Sequence, residues 1–456
     1  MATLADLADR AGQDELLQIR NDLMTVYRPI SSDDERLFPL RYARVNPRRV
    51  GRASEKVQRA ARRLVTPTVL VLPDGPGTAS VLPYDLLRRA LAAKGLDVIM
   101  VEHRGVGLSR LDAEGHDLPP HAMRMREVLE DIVAVLDHAQ VGEVVVYGCG
   151  YGAHLALALA ALHPERVASL VLDSPFVSAA DEACAQSAVR ARYWDGADPA
   201  TDTIAAALRR LDESGAVDAR RAGPVILAAH EYGGVEDVRE LVDLLALGRG
   251  QLTWASLWQA LTTEWLTSTR FVNEPDLVAR IAHTAIGLGS QADGGPMDPL
   301  LLAGEAARAV PAFTEPEIDL EPLLGRITAP TLVLVGERDL VTPPEVARRV
   351  ADAIPGARLL EVRGTGHALL DAHSQLARIA IWWSAAGAHD ALLERAEELQ
   401  DLPRTPTSWA LTHGLRLALA AERYSPWRLR LESARSRRAI SRLDPSGRKA
   451  AKGPRL

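Results

Sequence analysis

Two cysteines, Cys149 and Cys184, are all that a chain of 456 residues contains. That scarcity excludes a disulfide framework and leaves no cysteine-rich zinc site. Lysine is nearly as rare, at four residues (Lys56, Lys94, Lys449, Lys452), so arginine carries the positive charge, as expected of a bacterial chain from GC-rich coding. No apolar run approaches the length of a membrane span. The first ten residues, Met-Ala-Thr-Leu-Ala-Asp-Leu-Ala-Asp-Arg, lack the basic start and apolar stretch of a secretion signal. A cytoplasmic location without membrane contact is therefore expected. Internal repeats and long low-complexity tracts are absent as well.

What remains is the composition of a globular protein, 47% hydrophobic and 25% charged, long enough for one large domain with insertions or two ordinary ones. The charge is uneven. From Arg423 onward eleven Lys and Arg face only Glu432 and Asp444, a net of +9, which leaves −16 on residues 1–422 of a chain at −7. A basic tail on an acidic body can reach nucleic acid or anionic lipid. Folding back on its own acidic surface, or staying solvated, is the expectation adopted here, so nucleic acid is not an expected partner.

Short β-branched runs alternate with helical patterns, the signature of a parallel sheet built from βαβ units. The runs are Thr68–Leu72, Val98–Val101, Val144–Tyr147, Val167–Leu172, Thr331–Val335 and Arg358–Val362. Their near-continuous apolarity fits strands covered on both faces. The pattern stops after Leu172 and resumes at Thr331, with helical stretches between. Within Leu252–Leu266, residues Trp254, Leu257, Trp258, Leu261 and Trp265 fall on one helix face. That face either packs against another helix or roofs a ligand pocket, which makes Trp254 and Trp258 candidate lining residues. The spacing predicts four regions. Residues 1–62 are a helical or irregular segment, 63–177 with 325–387 the α/β core, 178–324 a helical cap, and 388–456 an extension ending in the basic tail.

One further absence decides the chemistry. Residues 148–152 read Gly-Cys-Gly-Tyr-Gly, after a strand pattern and before a helical one. Strand, sharp turn and helix are the setting of the G-x-S-x-G nucleophile elbow. Gly150 stands where the serine belongs, and glycine has nothing to attack with. Centring the turn on Cys149 instead places Tyr147 and Tyr151 where the tight turn needs small residues. Cys149 is therefore read as a small buried residue behind the turn.

Three landmarks accompany the elbow. The turn Pro73-Asp74-Gly75-Pro76-Gly77 follows the first strand, and its Gly75 N–H, with the Tyr151 N–H, would make an oxyanion hole. Asp339 follows the strand ending at Val335, and His367 sits in Gly364-Thr365-Gly366-His367 after the last strand. His367 is the candidate base and Asp339 its orienter, in the chain order elbow, Asp, His. Asp74 is either a turn residue bonding its own backbone or a site carboxylate that would oppose an oxyanion. Asp173, at the end of the fourth strand, is either a structural residue or a spare acid for His367. His103 and His154 read as structural.

These motifs carry a resemblance. Asp74-Gly75-Pro76-Gly77, Glu102-His103-Arg104-Gly105-Val106-Gly107-Leu108-Ser109, the Gly148–Gly152 elbow and His163-Pro164-Glu165-Arg166-Val167 are similar to the motifs of α/β-hydrolases of the prolyl and tripeptidyl aminopeptidase family. The resemblance covers about 65–177 and 325–387. It implies an α/β-hydrolase fold, a mostly parallel sheet with helices on both faces, a helical cap and no cofactor or metal. It also implies acidic cap residues such as Glu231 and Glu264 that hold a substrate amine. The departures are Gly150 for the nucleophile and Asp74 for a glycine.

Two readings follow. One is an enzyme that keeps the hole and the His367–Asp339 base, and activates water or takes a proton from a small-molecule or peptide-like substrate. The other is a pseudo-enzyme whose pocket binds a ligand or partner. A serine restored at 150 is expected to land within reach of His367 and to regain esterase activity. The oligomeric state is not legible.

Overall fold

The computed structural model describes residues 19–47 and 67–424. Most of the linker at 46–55 and the basic tail beyond 424 lie outside them. The six expected strands form, as β3 (Thr68–Leu72), β4 (Asp97–Val101), β5 (Val144–Cys149), β6 (Val167–Asp173), β7 (Thr331–Gly336) and β8 (Arg358–Val362), all mutually parallel. The N-terminal segment differs from expectation. Leu23–Ser31 (β1) and Asp34–Val45 (β2) form an antiparallel hairpin that extends the sheet by pairing with β4. Phe38, Leu40 and Tyr42 are buried at every second position of β2, a period-two pattern that the interleaved Pro39 and Arg41 obscure in the sequence. The full order is β1-β2-β4-β3-β5-β6-β7-β8.

Helices cover both faces, as continuous apolar strands require. Met125–His138 (α2) and Tyr151–Leu162 (α3) pack on one face, joined by Pro344–Ala353 (α8); Asp85–Ala93 (α1) and Ser374–Ala385 (α9) pack on the other. The Glu102–Ser109 motif explains itself structurally. Buried Glu102 accepts the N–H groups of Ser80 (2.7 Å) and Val81 (2.9 Å), and buried Arg104 pairs with Asp131 at 2.7 Å. Both groups fix the loops beside the β3 turn.

Between β6 and β7 lie Ala180–Arg190 (α4), Asp202–Glu213 (α5), Ala219–Ala246 (α6, kinked at Gly234) and Gln251–Leu266 (α7). No helix among the described residues is long and apolar enough to cross a membrane. The extension after 388 joins this layer through Pro406–Tyr424 (α10), which packs on α6 and α7. Leu415 and Leu419 enter the same apolar cluster as Val238, Leu241 and Leu245 of α6. Arg416 pairs with Asp237 at 2.9 Å, Arg423 pairs with Glu240 at 2.6 Å, and Glu422 accepts the Thr253 N–H at 2.6 Å in the first turn of α7. The extension is thus part of the helical layer in packing terms.

Leu419 is 2% exposed. Leu419→Ala should therefore cost about 2–5 kcal/mol of stability, the range for truncating a buried leucine. Urea unfolding measures it, and a change within error would place α10 outside the cooperative core.

Candidate active site

Because β3, β5, β7 and β8 run in parallel, the turns after them meet at one edge of the sheet, where α/β folds place their ligands. Gly150 connects β5 to α3 with φ +51° and ψ −114°, the strained conformation of a nucleophile elbow without the nucleophile. The groups around it are not empty-handed. Oδ1 of Asp74 accepts the Tyr151 N–H at 2.8 Å and the Gly75 N–H at 2.8 Å. Those are the two donors expected of the oxyanion hole, and a side chain of the protein itself occupies them. A Cβ built on Gly150 would overlap Oδ1 and Cγ of Asp74 and lie 3.0 Å from its Oδ2. The carboxylate stands where a serine side chain would.

His367 links this carboxylate to a second one. Its Nδ1 lies 3.0 Å from Oδ2 of Asp339, and its Nε2 lies 3.4 Å from Oδ2 of Asp74. Asp339 is fully buried, and its Oδ1 accepts the N–H groups of Val341 (3.0 Å) and Thr342 (2.8 Å). Burial alone would lower the His367 pKa, but the carboxylates of Asp339 and Asp74 outweigh it and hold the ring well above its ordinary value. Burial would raise Asp74; the His367 imidazolium and the two N–H bonds outweigh it and keep the acid below the usual carboxylate range. The resting site is an imidazolium between two carboxylates.

These groups form the floor of a cavity of about 820 Å³. Its walls are mainly apolar, from the β6–β7 helices and from Thr407, Ser408 and Leu411 of the extension, with Glu264, Trp265 and Asp371 facing inward. Trp254 and Trp258 do not line it. They pack on the apolar cluster of α5 and α6, with the Arg221 guanidinium 4.5 Å over the Trp258 ring. The aromatic face of α7 is thus divided: Trp254, Leu257 and Trp258 pack between helices, while Leu261 and Trp265 reach the cavity.

Glu231 also departs from expectation. Its carboxylate lines the cavity but is engaged by the protein, accepting the Leu340 N–H at 2.9 Å and the His367 N–H at 2.6 Å, so it braces both loops. Burial, and then the nearby Asp339 charge, push it up to about 8 against those two bonds. Asp173 does not reach His367; it accepts the Tyr147 hydroxyl at 2.7 Å and the Leu370 N–H at 2.9 Å. Cys149 is buried in the cluster beneath α9, behind the turn, where burial and then the Asp173 charge raise its thiol well above the usual range. His103 bonds the Arg104 carbonyl (2.6 Å) and the Tyr151 hydroxyl (2.9 Å), and His154 bonds the Phe176 carbonyl (3.2 Å).

Sequence reasoning missed Asp371, whose carboxylate accepts the Tyr84 hydroxyl at 3.0 Å and is pushed by burial up to about 6. No motif surrounds it. Among the described residues, no group of three or more His, Cys, Asp or Glu is arranged to hold a metal.

A family model described as alpha/beta hydrolase fold matches residues 67–374. The chain belongs to the α/β-hydrolase-fold family. Within similarity by sequence, it is 26% identical over 321 residues to the rhodomycin D methylesterase DauP of Streptomyces sp. (strain C5), covering 68% of this chain and 88% of that protein. The rhodomycin D methylesterase DnrP of Streptomyces peucetius is 26% identical over 331 residues, with the same shares of 68% and 88%. Among solved structures, the proline iminopeptidase of Mycobacterium smegmatis is 18% identical with a TM-score of 0.46, covering 80% of this chain and 98% of that one.

Two outcomes test the geometry. Gly150→Ser alone should destabilise the protein, since the new side chain overlaps the Asp74 carboxylate and takes up a strained φ costing about 1–3 kcal/mol. The cost should shrink when Asp74→Gly is added, and a double-mutant cycle by urea unfolding reads that coupling; additive costs would mean the two positions do not share space. The expected serine rescue therefore needs both changes. The second outcome concerns protonation. The His367 ring should titrate well above 6.5 by NMR, and lower in Asp74→Asn. The stability from its raised pKa is complete below the unfolded value of about 6.5 and is lost as pH rises through the folded value. A ring titrating at or below 6.5 in the native chain would break the ion-pair assignment.

Proposed function

We propose that this protein is a hydrolase of small, largely apolar molecules that works without a serine nucleophile. His367 is the proton-transfer group, Asp339 orients it, and the Gly75 and Tyr151 N–H groups hold Oδ1 of Asp74 beside it. The observation that carries this reading is the unbroken chain Asp339–His367–Asp74 at the floor of a ligand-sized cavity. A relic site would have no need to keep a fully buried Asp339 and an imidazole held between two carboxylates. Membership of a hydrolase family, with relatives whose names say methylesterase, supports hydrolysis as the reaction class. Peptide bonds are poor candidates. General-base catalysis supplies roughly 10²–10⁴-fold, enough for an activated substrate and too little for an unactivated peptide bond.

The test is activity against a panel of p-nitrophenyl esters, lactones and epoxides. Fluorophosphonate should not label the protein and no burst should appear with activated esters, because Gly150 offers no acyl acceptor. His367→Ala should abolish any turnover found. Asp339→Asn should lower it by up to ~10⁴, the loss seen when a triad loses its orienter. Full activity in His367→Ala removes the base. Ligand binding without turnover, unchanged in His367→Ala, would make this a binding protein.

A further inference from the structure

We infer that Asp74 is the covalent nucleophile of this site and that its substrates are epoxides. The inference rests on the hydrolase reading above and supplies its reacting atom and substrate class.

The two oxygens of Asp74 have different surroundings. Oδ1 is held by two backbone N–H groups, while Oδ2 faces the cavity beside Nε2 of His367. An oxygen that is held fixes the orientation of the other, which is what a carboxylate nucleophile requires. Acyl substrates are excluded by the same contacts. A tetrahedral intermediate on a substrate carbonyl needs both N–H donors, and they are given to Oδ1. Attack at a saturated carbon makes no such demand. There the hole serves the second half of the reaction, when the tetrahedral carbon is Cγ of Asp74 itself and Oδ1 carries the charge, already in place.

The leaving group can be narrowed further. A departing halide takes no proton and gives no role to the carboxyl group of Glu264, which lines the same cavity. An epoxide oxygen instead needs a proton as its C–O bond breaks. Burial, and then the charge of Asp74, raise Glu264 above the ordinary carboxylate value, which favours the form that has a proton to give. A nucleophile pushed down and a neighbouring acid pushed up divide the two tasks between two carboxyl groups.

The steps balance. Oδ2 attacks an epoxide carbon, the C–O bond opens, and Glu264 protonates the alkoxide, leaving an alkyl ester on Asp74. Esterification removes the Asp74 charge, one of the two that hold the proton on His367, and the ring passes that proton through solvent to Glu264. Neutral His367 then takes a proton from water as the hydroxide adds to Cγ. Oδ1 bears the charge between Gly75 and Tyr151. Collapse expels the second alkoxide, which takes its proton from His367. The new Asp74 acid returns a proton to the ring, restoring the pair, and epoxide plus water has become a diol.

Single turnover of styrene oxide by excess full-length protein in ¹⁸O-water tests this. The expected result is ¹⁸O in the peptide containing Asp74 and none in the first-turnover diol. Intact mass of His367→Gln should show an accumulating adduct of one styrene oxide, absent in Asp74→Asn. Turnover should fall at least ~10⁴-fold in Asp74→Asn, in line with loss of a nucleophile. Glu264→Gln should lose the basic limb of the pH profile. Turnover that places ¹⁸O directly in the diol overturns the nucleophile and leaves the general-base reading standing. So does His367-dependent hydrolysis of p-nitrophenyl esters or lactones with no action on styrene oxide or trans-stilbene oxide. Inactivity towards all of these overturns both.

Discussion

Two backbone N–H groups at the head of a strand-to-helix turn are the constraint on which this site depends. Those of Gly75 and Tyr151 converge at one point, and an inward-facing pair of donors left unsatisfied costs about 1–3 kcal/mol each. Asp74 satisfies both with one oxygen. From that contact the neighbouring choices follow. Residue 150 must be glycine, because its conformation is left-handed in φ and because the space of its Cβ belongs to the carboxylate. The second oxygen is turned towards His367, and the ring is held protonated. The missing serine and the added aspartate are therefore one change seen at two positions.

The second dependence runs through the helical layer. Glu231 of α6 reaches down to the N–H groups of Leu340 and His367, the residues flanking the Asp339 and His367 side chains. Gly366 leaves room for it, since a Cβ there would overlap its carboxylate. One turn later α6 kinks at Gly234, with φ +77° and ψ −170°, where the Arg338 guanidinium lies 2.8 Å from the space of a Cβ. A helix that supplies hydrogen-bond acceptors to the loops beneath it is a structural member of the site, not a hinged lid. α10 braces the same helix from outside through Arg416 and Arg423.

Much of this was legible in the sequence. Six parallel strands were readable because β3 to β7 are mostly buried runs rich in β-branched residues, and β8 keeps Leu360 and Val362 buried ahead of a Gly-rich turn. The turn residues after the strands marked Gly75, Gly150, Asp339 and His367, which the fold brings to one edge. The hairpin β1–β2 was not readable, because Pro39 and Arg41 interrupt its buried positions and arginines such as Arg28 are paired far along the chain, here with Asp131 at 3.0 Å. Trp254 and Trp258 showed a helical face but not what it faces; periodicity gives burial, never the neighbour. The position of Asp74 was visible and its posture was not. Sequence placed a carboxylate beside the hole, and only the geometry of the turn puts it inside.

That posture also orders the remaining charges. His367 and Arg404 are set against several carboxyl groups along the cavity, too few cations to keep every acid ionised in a buried site. Asp74 and Asp339 touch the imidazole directly, at 3.4 Å and 3.0 Å. The others, without a cation, are pushed towards the protonated form by burial: Glu182 up to about 7, Asp371 up to about 6, and Glu231 up to about 8. The result is an anion at the floor, held below the usual carboxylate range, facing acids that are raised towards neutrality. A polarity of that kind suits a substrate that must receive a carboxylate at one atom and a proton at the next.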